Sequence, residues 1–192
     1  MALSSLSKLE AVNSMLSAIG EAPINQLDEA TVDSAVAVAT LDEVSRNVQS
    51  IGWHFNTDSD FPLAKNQDGT ITVSSDIVRI DVDSNTYPTV DVVQRNGKLY
   101  DRKNHTNIFK LDLKAEIIRL LDWDDLPQPF KAYVTAKAAR IFQQRMIGSD
   151  EIGKQLAQDE LNALVILKNF DGDTGDYNIF DAFDVAKVLQ RT

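Results

Sequence analysis

IIRLLDWDDLPQPFKAYVTAKAARIFQQRMIG, residues 117–148, decides the fold. Glu116 to Leu121 reads as a strand. Asp122, Asp124 and Asp125 surround Trp123 in an acidic turn, and Pro127 and Pro129 follow. Proline suits the first turn of a helix, where a missing amide proton costs nothing. Carboxylates just upstream are favoured by the positive end of the helix dipole. Phe130, Val134, Ala138 and Ile141 then recur at helical spacing, and Gly148 stops the run. A β segment therefore ends here and a helical segment takes over.

Upstream lies the other helical part. Ser7-Lys8-Leu9-Glu10 is a capping box, in which serine and glutamate satisfy each other's orphan amides. Leu9, Val12, Leu16 and Ile19 form one stripe, Gly20 is a left-handed stop, and a helix is predicted over about 7–19. Ala37, Leu41, Val44, Val48 and Ile51 predict a second helix over about 31–51, ended by Gly52. Trp53 and Phe55 bracket His54 and are expected to seal that helix end against the core. Between the helical parts the chain is β-rich. Strands are predicted at 71–73, 77–82, 90–93, 98–102, 108–113 and 116–121. In the fifth, Phe109, Leu111 and Leu113 are expected to point inward. Asn96-Gly97 separates two of these strands, and this pair favours a type I′ hairpin turn because both residues accept positive φ. Beyond Gly148, Ser149 is a candidate cap for a fourth helix with Ile152, Leu156, Ala163 and Leu167 on its apolar side. DGDTGDYN at 171–178 reads as a break, followed by a short apolar tail from Ile179 to Leu189.

Helices, sheet, then helices imply an α+β fold: an antiparallel helical bundle with an inserted small antiparallel β-sheet domain. The expected division is 1–56 with 123–170 for the bundle, 57–122 for the β insertion and 171–192 for a C-terminal arm.

The 192 residues suit one domain or a compact two-lobed unit. Apolar residues make up 43% and charged residues 25%, the balance of an ordinary globule. Without cysteine there is no disulfide and no thiolate zinc site, and a reducing compartment is expected. No signal peptide is visible, and no stretch reaches the ~20 apolar residues of a membrane helix. Synthesis in the cytoplasm without a membrane partner is the expectation.

The formal net charge of −10 argues against a nucleic-acid reader, which needs a basic footprint. Charge is unevenly placed. Residues 28–60 hold Asp28, Glu29, Asp33, Asp42, Glu43, Asp58 and Asp60 against Arg46 alone, whereas 131–145 hold Lys131, Lys137, Arg140 and Arg145 without an acid. The plain reading is a solvated basic helix face. The sharper one pairs an acidic surface of one copy with a basic surface of the next, making Asp33, Asp42, Glu43, Lys131, Lys137, Arg140 and Arg145 candidate interface residues.

Catalytic chemistry has little to stand on. His54 and His105 lack the spacing of a metal pair. Asp171, Asp173 and Asp176 hint at a calcium loop, but the twelfth position, which should carry a bidentate glutamate, is Ala182. Nucleophile-elbow, P-loop and dinucleotide motifs are lacking. Asp122, Asp124 and Asp125 beside Trp123 leave one enzymatic alternative, a tail-borne hydrolase of cell-envelope polysaccharide or peptidoglycan. Acids at a helix start explain the same residues more simply. No catalytic residue, cofactor or metal is expected.

Four blocks in order carry a resemblance: AVNSMLSAIGEAPINQLDE at 11–29, VQSIGWHFN at 48–56, KLYDR at 98–102, and the opening stretch at 117–148 with Arg140, Phe142, Arg145 and Gly148 near its end. Together they look like the tail tubular protein A family, the adaptor or gatekeeper proteins of short-tailed bacteriophages. The strands at 61–95 and the tail after 170 resemble it more loosely.

The resemblance implies a homo-oligomeric, dodecameric ring at the capsid portal vertex of the virion. Portal protein would sit on one side and the nozzle protein, tail tubular protein B, on the other. Tail fibre protein would attach around the ring, and double-stranded DNA would pass through its centre during ejection. An acidic wall would let the duplex slide, because it repels phosphates. The helical part is expected to form wall and lumen, the β insertion to face outward or toward nozzle and fibres, and the arm to order on meeting the portal.

Overall fold

The computed structural model describes residues 4–28 and 31–175. The fold is α+β, with four helices and five strands among the described residues. Contacts divide it into two compact units, one built from two segments of the sequence and the other from a single run. One holds the described residues up to Ala37 and from Pro127 on; the other is Val38–Leu126.

The helical unit contains α1 (Lys8–Ser17), α3 (Gln128–Met146) and α4 (Asp150–Thr174), with the first residues of α2 (Val32–Gln49). The capping box of α1 is formed: Ser7 Oγ accepts the Glu10 amide at 3.2 Å, and Glu10 accepts the Ser7 amide at 2.8 Å. The Ser7 amide first, and then the Ser7 hydroxyl, which donates to the same carboxylate at 2.7 Å, hold the Glu10 carboxyl below its ordinary pKa. Ala11, Val12, Met15 and Leu16 are buried, and α1 packs against α3. Helix α3 buries Phe130, Val134, Ala138 and Phe142, and it packs against α4 as well. At its end the Ile147 and Gly148 amides both donate to the Gln143 carbonyl, a closure that needs the positive φ of 71° at Gly148.

The β unit contains the rest of α2, a 3-10 turn at His54–Asn56 and all five strands. β1 (Thr57–Leu63), β5 (Leu113–Arg119) and β2 (Ile77–Asp81) form an antiparallel sheet in that order. β3 (Val92–Arg95) and β4 (Lys98–Asp101) form the expected hairpin, with φ of 52° at Asn96 and 71° at Gly97. One apolar cluster joins the two sheets, including Leu63, Ile71, Val73, Leu99, Phe109, Leu113 and Ile117.

Several expectations change. Residues 71–73 form no strand; Thr72 makes an isolated bridge to Lys98, while the Leu99 amide donates to the Ile71 carbonyl at 2.9 Å. Ile71 and Val73 are buried, so their apolar character reflects core rather than ladder. Residues 108–112 form no strand either. Phe109 and Leu113 go inward, but Leu111 is 53% exposed, because the irregular backbone breaks the alternation. The strand β1, TDSDFPL, is one that periodicity does not find. It is an edge strand with a bulge at Asp60 (φ 55°) and a proline at 62, and only Leu63 of it is buried. Its charge, bulge and proline protect an edge from further pairing.

Helix α4 runs through Asp171–Thr174, so those residues are helical rather than a break or the start of a calcium loop. Ser149 precedes α4 without a side-chain cap bond; its carbonyl instead accepts from the Gly153 amide and Gln143 Nε2. Asp176, the apolar tail and most of the expected arm lie outside the described residues. Among the described residues, no helix is long and apolar enough to cross a membrane.

Candidate assembly surfaces

The blocks that stand out in the sequence turn out to be locks between side chains and backbone. Asn13 Nδ2 donates to the Ile24 carbonyl at 3.0 Å and Asn13 Oδ1 accepts the Ile24 amide at 2.9 Å, pinning the loop after α1. In the second block, Gln49 and Asn56 are almost fully buried. Gln49 Oε1 accepts the Leu121 amide at 2.7 Å and Gln49 Nε2 donates to the Leu121 carbonyl at 3.2 Å. Asn56 Nδ2 donates to the carbonyls of Gln49 (3.0 Å) and Arg119 (2.9 Å), while Asn56 Oδ1 accepts the Trp53 amide at 2.8 Å. The Trp53 indole N–H ends on the Val48 carbonyl at 2.8 Å. This network closes the end of α2 and ties it to the end of β5. It satisfies backbone groups that burial would otherwise leave unpaired.

In the third block Asp101 is the hub. Its carboxylate accepts the amides of Asp91, Lys103 and Asn104 and the Asn104 side-chain amide. Burial pushes its pKa up. The hydrogen bonds from the Asn104 side chain and from the Asn104, Asp91 and Lys103 amides outweigh that and hold it below the ordinary carboxylate value.

The charged candidates divide by environment. Lys131 is 2% exposed and its ammonium donates to Ser5 Oγ at 3.0 Å. Arg140 pairs with Glu160 of α4, and that hydrogen bond raises its pKa further. Lys137 is half-buried, with its ammonium 3.3 Å from the Tyr133 hydroxyl and over the same ring. Arg145 and Glu43 are exposed, and Asp33 and Asp42 half-buried. Lys131, Lys137, Arg140 and Arg145 share α3, and Asp33, Asp42 and Glu43 share α2. Asp122, Asp124 and Asp125 are exposed at a short 3-10 turn, Trp123–Asp125, just before α3.

What sequence periodicity misses is the outer face of α4. Only Leu167 of its 25 residues is buried. Leu161, Val165 and Ile166 are 53%, 51% and 60% exposed, and Met146 and Ile147 at the α3–α4 corner are 38% and 53% exposed. At 100° per residue, Leu161 and Val165 lie opposite the Leu156–Leu167 side. The signal was the run LVIL at 164–167, because four consecutive apolar residues cannot share one side of a helix. Exposed apolar residues gathered in this way make the face a candidate for contact with another molecule.

A sequence model of the tail tubular protein family matches residues 9–177, nearly the whole chain. The chain belongs to the tail tubular protein family. It is also 26% identical, over 153 residues, to tail tubular protein A of Klebsiella phage KP34, covering 79% of this chain and 80% of the relative. Tail tubular proteins are structural components of the phage tail, and this member takes that role in the virion. In this tail tubular protein the matched region contains these three locks and the whole of α4.

Proposed function

We propose that copies of this chain assemble into a closed ring that adapts the portal to the tail nozzle, holds tail fibres and passes double-stranded DNA through its centre, without enzymatic activity. The observation that carries the reading is the exposed apolar face of α4 and the α3–α4 corner. A lone monomer gains nothing from Leu161, Val165 and Ile166 in water; a sister copy packed on them would bury that surface, at roughly 25 cal/mol per Å². Heterologous contacts of one kind close into a ring when the rotation between copies allows it. A dodecamer is the copy number that the tail tubular resemblance favours. The acidic balance of the chain suits a channel that duplex DNA crosses without sticking.

Exposure narrows the charged candidates. Arg145 on α3 and Glu43 on α2 lead, with Lys137, Asp33 and Asp42 beside them. Lys131 and Arg140 serve the helical unit itself through Ser5 and Glu160.

The deciding experiment is electron microscopy of the protein alone and with portal. Rotationally symmetric annuli, present in either sample and lost in Leu161→Lys/Val165→Lys, are the expected result. A protein that stays monomeric at high concentration and with portal would overturn the ring. Annuli unaffected by the double substitution would move the interface away from α4.

A further inference from the structure

The tip of the β3–β4 hairpin carries a chemistry that neither the locks nor α4 uses. Asn96 is the chain's one asparagine followed by glycine. That order matters because the next residue's backbone nitrogen must reach the asparagine Cγ, and glycine has no β-carbon to obstruct the approach. Asn96 and Gly97 are both exposed, with φ of 52° and 71°. Among the described residues the Asn96 side chain has no hydrogen-bond partner, and the Gly97 N–H has no acceptor. Other asparagines are held. Asn13 and Asn56 bind backbone groups through both side-chain atoms. Asn104 Nδ2 donates to the Asp101 carboxylate and the Thr89 carbonyl.

The tip is clasped by its neighbours. The Val73 amide donates to the Gly97 carbonyl at 2.9 Å, and the Leu99 amide donates to the Ile71 carbonyl at 2.9 Å. Arg95 pairs with Lys98 across the turn, and the Arg95 guanidinium lies 4.0 Å from the centre of the Tyr100 ring. These contacts hold the backbone on both sides of the Asn96–Gly97 peptide. Ring closure onto Cγ needs the Gly97 nitrogen eclipsed with the Asn96 β-carbon, a torsion outside the type I′ turn. The closed tip therefore holds the two groups apart in orientation, and an open tip releases them.

We infer that Asn96 is a site of spontaneous covalent modification, at which opening of the hairpin tip lets the Gly97 nitrogen displace the side-chain amide and water then convert the residue to aspartate or isoaspartate. The bond from the Gly97 nitrogen to Asn96 Cγ forms as the Cγ–Nδ2 bond breaks. The Gly97 amide proton passes to water, and the leaving nitrogen takes up a proton and departs as ammonia. Water then opens the succinimide. Cleavage at Cγ gives aspartate; cleavage at the main-chain carbonyl carbon gives isoaspartate. Water is the one co-reactant. Aspartate suits the same turn, because Asp-Gly also favours type I′. Isoaspartate routes the main chain through an extra methylene, so the Val73–Gly97 bond and the Arg95–Lys98 register are lost. Either product adds a negative charge to the tip, and one of them unfastens residues 71–73. No step depends on self-association, so this inference stands apart from the ring.

The test incubates the full-length protein in mildly alkaline buffer, natively and in urea. Peptide mass spectrometry maps amide loss, and enzymatic methylation counts isoaspartate. Native conversion is expected at Asn96 ahead of Asn13, Asn56 and Asn104. It should be about tenfold slower than in urea, the factor that ~1.4 kcal/mol of local opening corresponds to. Asn96→Gly keeps a pair suited to type I′ and should remove most of the isoaspartate while circular dichroism stays native. In the isoaspartate fraction, exchange of the Val73 and Leu99 amides should quicken. The inference is overturned by an Asn96 still intact natively long after the urea sample has fully converted, by native conversion as fast as in urea, or by unchanged isoaspartate in Asn96→Gly.

Discussion

At Gly52 the backbone has φ of 88°, and a β-carbon there would lie 2.5 Å from Cδ1 of the buried Ile118. Strain and overlap act together, so Gly52→Ala should cost roughly 1–3 kcal/mol by denaturant titration. Gly20 has φ of 81° with open space around it, so Gly20→Ala should cost less. Equal costs would mean that Ile118 moves aside freely. Asn56→Ala removes the donor from two carbonyls and the acceptor from one amide. Each orphaned buried group costs roughly 1–3 kcal/mol, so this variant should be among the most destabilising point changes in the β unit. A loss under about 0.5 kcal/mol, the range of ordinary surface changes, would mean that water replaces the side chain. Asp101 sets a pH dependence. Its folded pKa lies below the unfolded value, so the stability it contributes is present above about pH 4 and lost as pH falls through the folded pKa. Asp101→Asn should lower stability at neutral pH and flatten the acid limb of stability against pH. An unchanged acid limb would assign that limb to other carboxylates.

At the level of elements, α4 is anchored by few groups. Leu167 is its one fully buried side chain, and Arg140–Glu160 joins it to α3. Glu160 is the more buried partner, its side chain 16% exposed against 31% for Arg140. Replacing it by glutamine should therefore loosen the α3–α4 hairpin more than an open surface pair would, by about 1–2 kcal/mol after screening. Faster amide exchange along α4, with little change in the β unit, is the expected signature. Equal acceleration in both units would mean that α4 does not open separately. The Leu161→Lys/Val165→Lys change touches the opposite face and should leave the stability of the unassociated chain within about 0.5 kcal/mol. Its effect belongs to self-association, read by light scattering. The edge strand β1 shows why periodicity failed there: an edge needs charge, a bulge and Pro62 more than it needs alternation.

For the whole molecule, the net charge of −10 predicts that purified protein does not retain duplex DNA in a gel-shift assay even at low salt, where electrostatic binding is strongest. Retention at low salt would point to a basic lumen and reverse the channel argument. Salt also discriminates the assembly contacts. Apolar packing on α4 should hold or tighten as salt rises, whereas contacts led by Glu43 and Arg145 should weaken as the Debye length shrinks from about 10 Å at 0.1 M to about 3 Å at 1 M.

Helix positions, the capping box, the Asn96-Gly97 turn and the α+β class were legible because local rules govern them: hydrogen bonds and φ preferences act within a few residues. Membership in the tail tubular family was legible for a related reason, since its blocks are locks whose residue types are dictated by the backbone groups they satisfy. Gln49, Asn56 and Asp101 could be seen as part of a pattern but not understood from it, because their partners are 63 and 72 residues away or set by a loop. The exposed sides of α4 and of Leu111 were hidden more deeply. An apolar residue looks the same in sequence whether it faces the core or water; only the packing of neighbours decides which side of a helix or loop is left bare, and so which surfaces are available for another chain.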